Sequence, residues 1–361
     1  MGPLSGLKVV EMPSIGPVPY AGMLLADMGA DVVVLERDNN FLSSDKDINR
    51  RGKRALNIDL KSENGVGLAQ SLINASDIVL EGFRPGVMER LGLGPDEFKE
   101  SNPKLVYGRM TGWGQTGPLA QTAGHDINYI SLTGALHAMG TADQPPTPPL
   151  NLVGDYGGGS LFLVMGVLAA IIERQNSGQG QVIDAAITDG TANLMSVIHT
   201  LSSIGQWSPQ RESNLLDGGA YFYASYATSD DKYISIAPLE PQFYAMLREH
   251  AGLDSDEFEK QFDPSKWPQL KTKLIEVFKQ KTRDEWCDLL EGTDVCFAPV
   301  LDYTEAPNHH HMQARKTYID IEGITQPAPA PRFSRTQSDV KHAFKRNHDD
   351  EKSIRADWGI E

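Results

Sequence analysis

The first half of the chain alternates short apolar runs with amphipathic stretches. Leu7-Lys8-Val9-Val10-Glu11 is followed by a helical segment over 21–28, then by Asp31-Val32-Val33-Val34-Leu35. The second run is apolar without alternation, as expected of a strand buried on both faces. Further strands are predicted at 55–60, 77–80 and 105–110, with an amphipathic segment at 63–74 and a short helical region at 97–100. Gly157-Gly158-Gly159 leads into a helix through residue 172 that stops near 176–178, and 181–187 reads as another strand. Strand and helix in alternation predict an α/β fold: a doubly wound, mostly parallel sheet forming a large domain over 1–187.

Beyond it the pattern changes. Residues 189–208 are weakly amphipathic and helical, giving a connector over 188–220. Two strand-like runs, 221–227 and 232–237, flank Ser229-Asp230-Asp231 as a hairpin, and helices follow near 242–251 and 267–279. These form a smaller α+β domain over 221–300. From 301 to 361 the chain is turn-rich, and Pro327-Ala328-Pro329-Ala330-Pro331 predicts an extended strap that returns to the large domain and ends in a polar tail. A length of 361 residues with 40% hydrophobic side chains is sufficient for two such cores.

A net charge of −15 argues against nucleic acid as a partner, because phosphates require basic faces. The longest apolar stretch, 160–172, is shorter than the roughly 20 residues that span a bilayer, so no membrane span is expected. The first thirty residues lack the layout of a secretory signal, and no Ser-Lys-Leu-type address closes the chain. An intracellular protein is expected, with the cytoplasm as first choice. Cys287 and Cys296 fit no metal or disulfide spacing and are read as buried thiols. His309-His310-His311 lacks an evident partner ligand, so it reads as a solvated loop with no metal expected.

Glu36, at the end of the second strand, stands where a dinucleotide's ribose would be held. The first strand is followed by Gly16-Pro17-Val18-Pro19-Tyr20-Ala21-Gly22, which lacks Gly-x-Gly-x-x-Gly and disfavours that reading. Against the acidic background, cations gather near predicted strand ends: Arg37, the run Arg50-Arg51-Gly52-Lys53-Arg54, Lys61, Arg84 and Arg90. Strand ends are where an open α/β sheet binds ligands, and guanidinium groups there suit phosphates. Taken singly, each is more often a solvated charge. Two segments are placed just ahead of helices, Gly124-His125-Asp126-Ile127-Asn128-Tyr129 and Asn151-Leu152-Val153-Gly154-Asp155-Tyr156. Asp126 and Asp155 there could be plain N-caps. A histidine at a helix start can act as a base near neutral pH, and free helix-terminal N–H groups can stabilise a developing oxyanion.

In order along the chain stand Pro3-Leu4-Ser5-Gly6-Leu7-Lys8-Val9-Val10-Glu11, Leu25-Ala26-Asp27-Met28-Gly29-Ala30-Asp31-Val32-Val33, Glu81-Gly82-Phe83-Arg84-Pro85-Gly86-Val87 and Thr111-Gly112-Trp113-Gly114-Gln115-Thr116-Gly117-Pro118. With these the sequence resembles the family III CoA-transferase superfamily over nearly its whole length. The Gly-His-Asp segment at 124–126 resembles that of the family's α-methylacyl-CoA racemases, whereas its transferases generally lack this histidine and use the aspartate corresponding to Asp155 as nucleophile.

The resemblance implies a racemase that interconverts the 2R and 2S epimers of 2-methylacyl-CoA thioesters. His125 and Asp155 would be the acid/base pair, Glu240 would orient the histidine, and the backbone of Asp126 would stabilise the enolate. It implies CoA contacts at Arg37, Ile58, Asp59, Leu60, Lys61, Gly82, Phe83, Arg84 and Arg90, and adds Gly124 and Tyr129 to the residues that bind the substrate. On the residues alone, Glu240 could equally cap the helix after Pro241. The resemblance further implies an interlocked homodimer with active sites shared between subunits, acyl-CoA as substrate partner, and no cofactor, CoA being part of the substrate. The alternatives are a CoA-transferase acting through Asp155 and an inactive CoA-binding scaffold. Leu215, Leu216, Tyr221 and Tyr223 could line the acyl path or belong to a core.

Overall fold

The computed structural model describes residues 2–36, 46–343, 349 and 351–360, which separate into two compact units. The first comprises Met1–Ala135, Pro149–Met195 and Lys316–Glu361; the second comprises Leu136–Pro148 and Ser196–Arg315. The short stretch 136–148, within the large domain expected from the sequence, thus belongs to the second unit.

The first unit is built on β1 (Lys8–Glu11), α1 (Pro17–Asp27), β2 (Asp31–Glu36), β3 (Arg54–Asn57), α2 (Glu63–Asn74), β4 (Ile78–Glu81), α3 (Val87–Arg90), β5 (Val106–Thr111), α4 (Asp126–Leu132), α5 (Leu161–Ser177), β6 (Val182–Ala186) and α6 (Ile187–Leu194). Its six strands are all parallel, in the order β3-β2-β1-β4-β5-β6. The sheet direction switches at β1 and β4, the place where a doubly wound fold opens a crevice at its strand carboxyl ends. Both faces are covered: Val9 and Val32 pack with α1 and α5, while their neighbours Val10 and Val33 pack with α2. This two-sided burial is why the strand sequences are continuously apolar. The helix α2 follows its amphipathic pattern, with Ser62 Oγ accepting the N–H of Gly65 at its start.

Just before α5 the backbone forms a nine-residue π-helix, Leu152–Ser160, continuous with α5. The combined run Leu152–Ser177 is long and apolar enough to cross a membrane by length and composition, exceeding the 160–172 stretch read from the sequence. Leu163, Val164, Val167, Ala170 and Ile171 on it are buried in the core of the unit.

The second unit contains α7 (Ser196–Ser203), β7 (Ala224–Ala227), β8 (Tyr233–Ile236), α8 (Pro241–Ala251), α9 (Trp267–Phe278), α10 (Arg283–Leu290), β9 (Phe297–Val300) and α11 (His310–Ala314). Its three strands form an antiparallel sheet, β7-β8-β9, packed on an aromatic core. Tyr221 is wholly buried in that core with its hydroxyl bonded to that of Tyr244, so it does not line an open path. Cys287 is half-buried and Cys296 exposed, contrary to the expectation of two buried thiols.

The chain then returns to the first unit through the hairpin β10 (Tyr318–Ile321) and β11 (Ile324–Pro327) and ends on α12 (Glu351–Trp358). The tail is polar only in part. Ile354 and Trp358 are buried against the sheet, the Trp358 indole donates to Asp31 Oδ2 at 2.8 Å, and Lys8 donates to the Trp358 carbonyl at 3.0 Å.

Candidate active site

The acid/base residues read from the sequence come together in the first unit. His125 is the N-cap of α4, in extended conformation, and its N–H donates to Asn128 Oδ1 at 3.0 Å. Asp126 is therefore the first helical residue and not the cap. Its Oδ1 accepts the backbone N–H of Asp155 at 2.6 Å. Asp155 is no N-cap either: it lies inside the π-helix, whose cap is Asn151. Wide helical turns of this kind are rare and concentrate at functional positions.

Close approach explains two glycines. A Cβ on Gly154 would lie 2.2 Å from Asp126 Oδ1, and one on Gly16, where φ is +71°, would lie 3.0 Å from Asp155 Oδ2. The loop after β1 thus approaches the Asp155 carboxylate itself, while the Asp126 side chain at the start of α4 approaches the backbone just before it. Burial, and then the charge of Asp126, push the Asp155 carboxyl up to about 6, although the Asn151 side chain and the His125 imidazole pull it down. Burial also raises the Asp126 carboxyl, against the N–H groups of Asp155 and Gly154. Asp126 Oδ2, Ser14 Oγ and Trp113 Nε1 are buried without a protein hydrogen-bond partner. Buried polar atoms of this kind take their partner from outside the chain, as water or as ligand.

Tyr129 forms one wall. Its hydroxyl donates to the Gly124 carbonyl, and its ring meets Trp113 edge-on at 4.8 Å. Burial raises its phenol, with Asp155 pushing the same way and Arg84 opposing. Both charges therefore reach it. Arg84 is exposed beyond the carboxyl end of β4, and Gly82 there packs against Ser14 of the β1 loop at the switch point. Phe83 donates its N–H to Glu81 Oε2 at 2.7 Å and packs on the core, and Arg90 is exposed at the end of α3. Ile58, Asp59, Leu60 and Lys61 follow β3. Ile58 and Leu60 face the core, Asp59 Oδ1 accepts the N–H of Lys61 at 3.1 Å, and only Asp59 and Lys61 are exposed. Arg37 lies outside the described residues.

The basic run at 50–54 turns inward. Arg50 pairs with Glu36, Arg51 with Asp27 at 2.6 Å, Lys53 with Glu11 at 2.6 Å, and Arg54 with Asp31 and Asp357. These cations neutralise carboxylates of the sheet and its flanking helices, a pairing that no local pattern announces. Beside them, a pocket of about 130 Å³ opens at the carboxyl ends of β1 and β2, lined among others by Glu11, Ser14, Gly16, Asn49 and Arg50. Sequence reasoning also missed Tyr156, which stacks on Tyr20 at 4.2 Å and accepts from Asn49 Nδ2 at 3.3 Å, bracing the π-helix from this side.

Glu240 belongs to the second unit. It is the N-cap residue of α8, in extended conformation before Pro241, as the helix-cap reading expects, but its side chain makes no capping hydrogen bond.

Residues 4–347 match the family model described as CoA-transferase family III. The chain is 45% identical over 334 residues to an alpha-methylacyl-CoA racemase of Mus musculus, covering 92% of this chain and 87% of the relative. It is 42% identical to the Homo sapiens protein of the same name, covering 91% and 86%. A solved CAIB/BAIF family protein from Brucella suis superposes with a TM-score of 0.85 at 26% identity, covering 99% of each chain. On the extent of these matches, the chain belongs to CoA-transferase family III.

Proposed function

We infer that the protein is an α-methylacyl-CoA racemase, an isomerase that interconverts (2R)- and (2S)-2-methylacyl-CoA thioesters by moving the 2-proton through an enolate. The observation that carries this reading is that Asp126, the residue after His125, accepts the backbone N–H of Asp155 and so holds the two in one site, in a chain whose relatives at 42–45% identity bear that name. A carboxyl raised to about 6 is suited both to give and to take a proton near neutral pH.

With the S epimer, His125 accepts the 2-proton and Asp155 returns one from the opposite face; with the R epimer the roles reverse. The negative charge moves onto the thioester oxygen. The backbone N–H of Asp126, at the first position of α4, has no carbonyl one turn back to bind and is the donor for that oxygen. The CoA portion lies along the strand carboxyl ends, using Arg37, 58–61, Gly82, Phe83, Arg84 and Arg90. No electron is transferred, so the chemistry calls for no redox cofactor.

A homodimer fits the surface of the first unit. Leu161, Met165 and Ile172 form an exposed apolar row on α5, and Val182 is exposed on the edge strand β6. Sedimentation at the mass of a single chain would exclude this assembly.

Turnover of single epimers tests the function. Each should approach an equal mixture without any free carboxylic acid as acceptor. A strict requirement for such an acceptor would mean transferase chemistry, with Asp155 as nucleophile.

A further inference from the structure

The geometry points to a binding site for a divalent transition-metal ion of the zinc, nickel or copper class, formed by Glu291, His309 and His310 in the second unit. One ligand atom from each lies within 4.8 Å of the other two. His309 Nε2 is 2.8 Å from Glu291 Oε1, and His310 Nε2 is 3.8 Å from the same oxygen. Donors bound tetrahedrally at about 2.0–2.2 Å stand about 3.3 Å apart, so only small side-chain rotations separate this cluster from a coordination shell.

A simple ion pair does not explain the arrangement. Both ring nitrogens of His309 are buried, and neither makes a hydrogen bond within the protein despite the short approach of the carboxylate. The His310 ring lies beside it, 4.5 Å away between centroids and inclined by 31°, so both imidazoles stand on the same side of the Glu291 carboxylate. His310 is exposed, so a fourth position is open to water. Imidazole with one carboxylate suits this class of metal and not calcium or magnesium, which take oxygen ligands.

The scaffold is braced independently of any ion. At the other end of α10, Arg283 makes a bidentate pair with Glu305 at 2.6 and 2.9 Å and also donates to the Val300 carbonyl. Glu291 caps the C-terminal end of that helix, and the His309 carbonyl accepts the N–H of Gln313 within α11. Arg283 thus ties Glu305 to the N-terminal end of α10, and a metal would tie the two histidines to its C-terminal end. The sequence showed three adjacent histidines and no partner; the fold supplies the partner from the C-terminal end of α10.

Untagged full-length protein, stripped with a chelator, should bind zinc, and separately nickel, saturably at one ion per chain in calorimetry. Losing an outer-shell partner already costs about 10–100-fold in metal affinity, so removing a ligand should cost at least that. His309→Ala and Glu291→Gln should each show it, and His310→Ala, at an exposed position that does not endanger folding, should show it too. Copper bound to the wild-type protein should give an electron paramagnetic resonance spectrum with nitrogen coupling that weakens in His310→Ala. Absence of one-to-one binding, or unchanged affinity in the His310→Ala and His309→Ala proteins, would overturn the site.

Discussion

Asp126 Oδ1 accepts the backbone N–H of Asp155 at 2.6 Å, so a carboxylate at the start of α4 is fixed beside a carboxylate in the π-helix. Two acids held together cannot both ionise freely, and the more buried one yields. Asp155 is held high by its burial first and by this neighbour second. Asp126→Asn keeps an oxygen for the same N–H but removes the charge. The limb of the pH–kcat/KM profile near pH 6 should therefore move to lower pH. His125 and Asp155 must carry one proton between them in either direction of turnover, so the profile should be the same for both epimers. A limb that stays in place in the variant would show that Asp126 does not set it.

The raised Asp155 carboxyl also has a cost in stability. In the folded chain it binds its proton more tightly than in the unfolded chain, where the ordinary value is 3.8. Stability is therefore lost as pH rises from about 4 through 6 and remains lost above. Asp155→Asn should raise stability at pH 7 by about 1 kcal/mol, the linkage value being discounted because solvent partly screens this carboxylate. The gain should vanish below about pH 4. Thermal melts at both pH values check this, and a gain that persists in acid would point to packing instead.

Arg84 stands beyond β4, where the switch in sheet direction opens the crevice. A contact with CoA phosphate persists alike in ground and transition states, so Arg84→Ala should raise KM by about tenfold with kcat little changed. Steady-state kinetics separate the two. A loss confined to kcat would move Arg84 from the CoA site to the chemistry.

With two bases, each is needed to remove the proton from only one epimer. His125→Ala should lose exchange from the S epimer while Asp155 still removes and returns a proton on the R epimer, without inversion. Asp155→Ala should show the reverse preference, and racemisation should fall by roughly 10²–10⁴-fold in both. Equal loss of exchange from both epimers in both variants would indicate one shared base.

Much of this architecture could be read from side-chain pattern. The strands β1 to β5 stand within a residue or a few of the apolar runs, because burial on both sheet faces leaves little room for polar side chains. The helix α2 was legible from its amphipathic stripe. Other elements carry too little local signal. The strand β9 contains Pro299, tolerated because β9 is the outer strand of its sheet. The helix α12 buries Ile354 and Trp358, too few apolar positions to show a period. At the site, His125 and Asp155 were recognisable by family resemblance, but no pattern announces a π-helix. The internal pairing of the 50–54 cations and the meeting of Glu291 with His309 depend on contacts between distant segments, which composition cannot show.

The proposed proton transfer is most directly tested by turning over a single epimer of 2-methylacyl-CoA in deuterated water with the wild-type protein, following chirality and label together. Deuterium should enter carbon 2 as inversion proceeds, from either epimer, until the mixture is even. Transfer of CoA to a free acid with no deuterium at carbon 2 would contradict it.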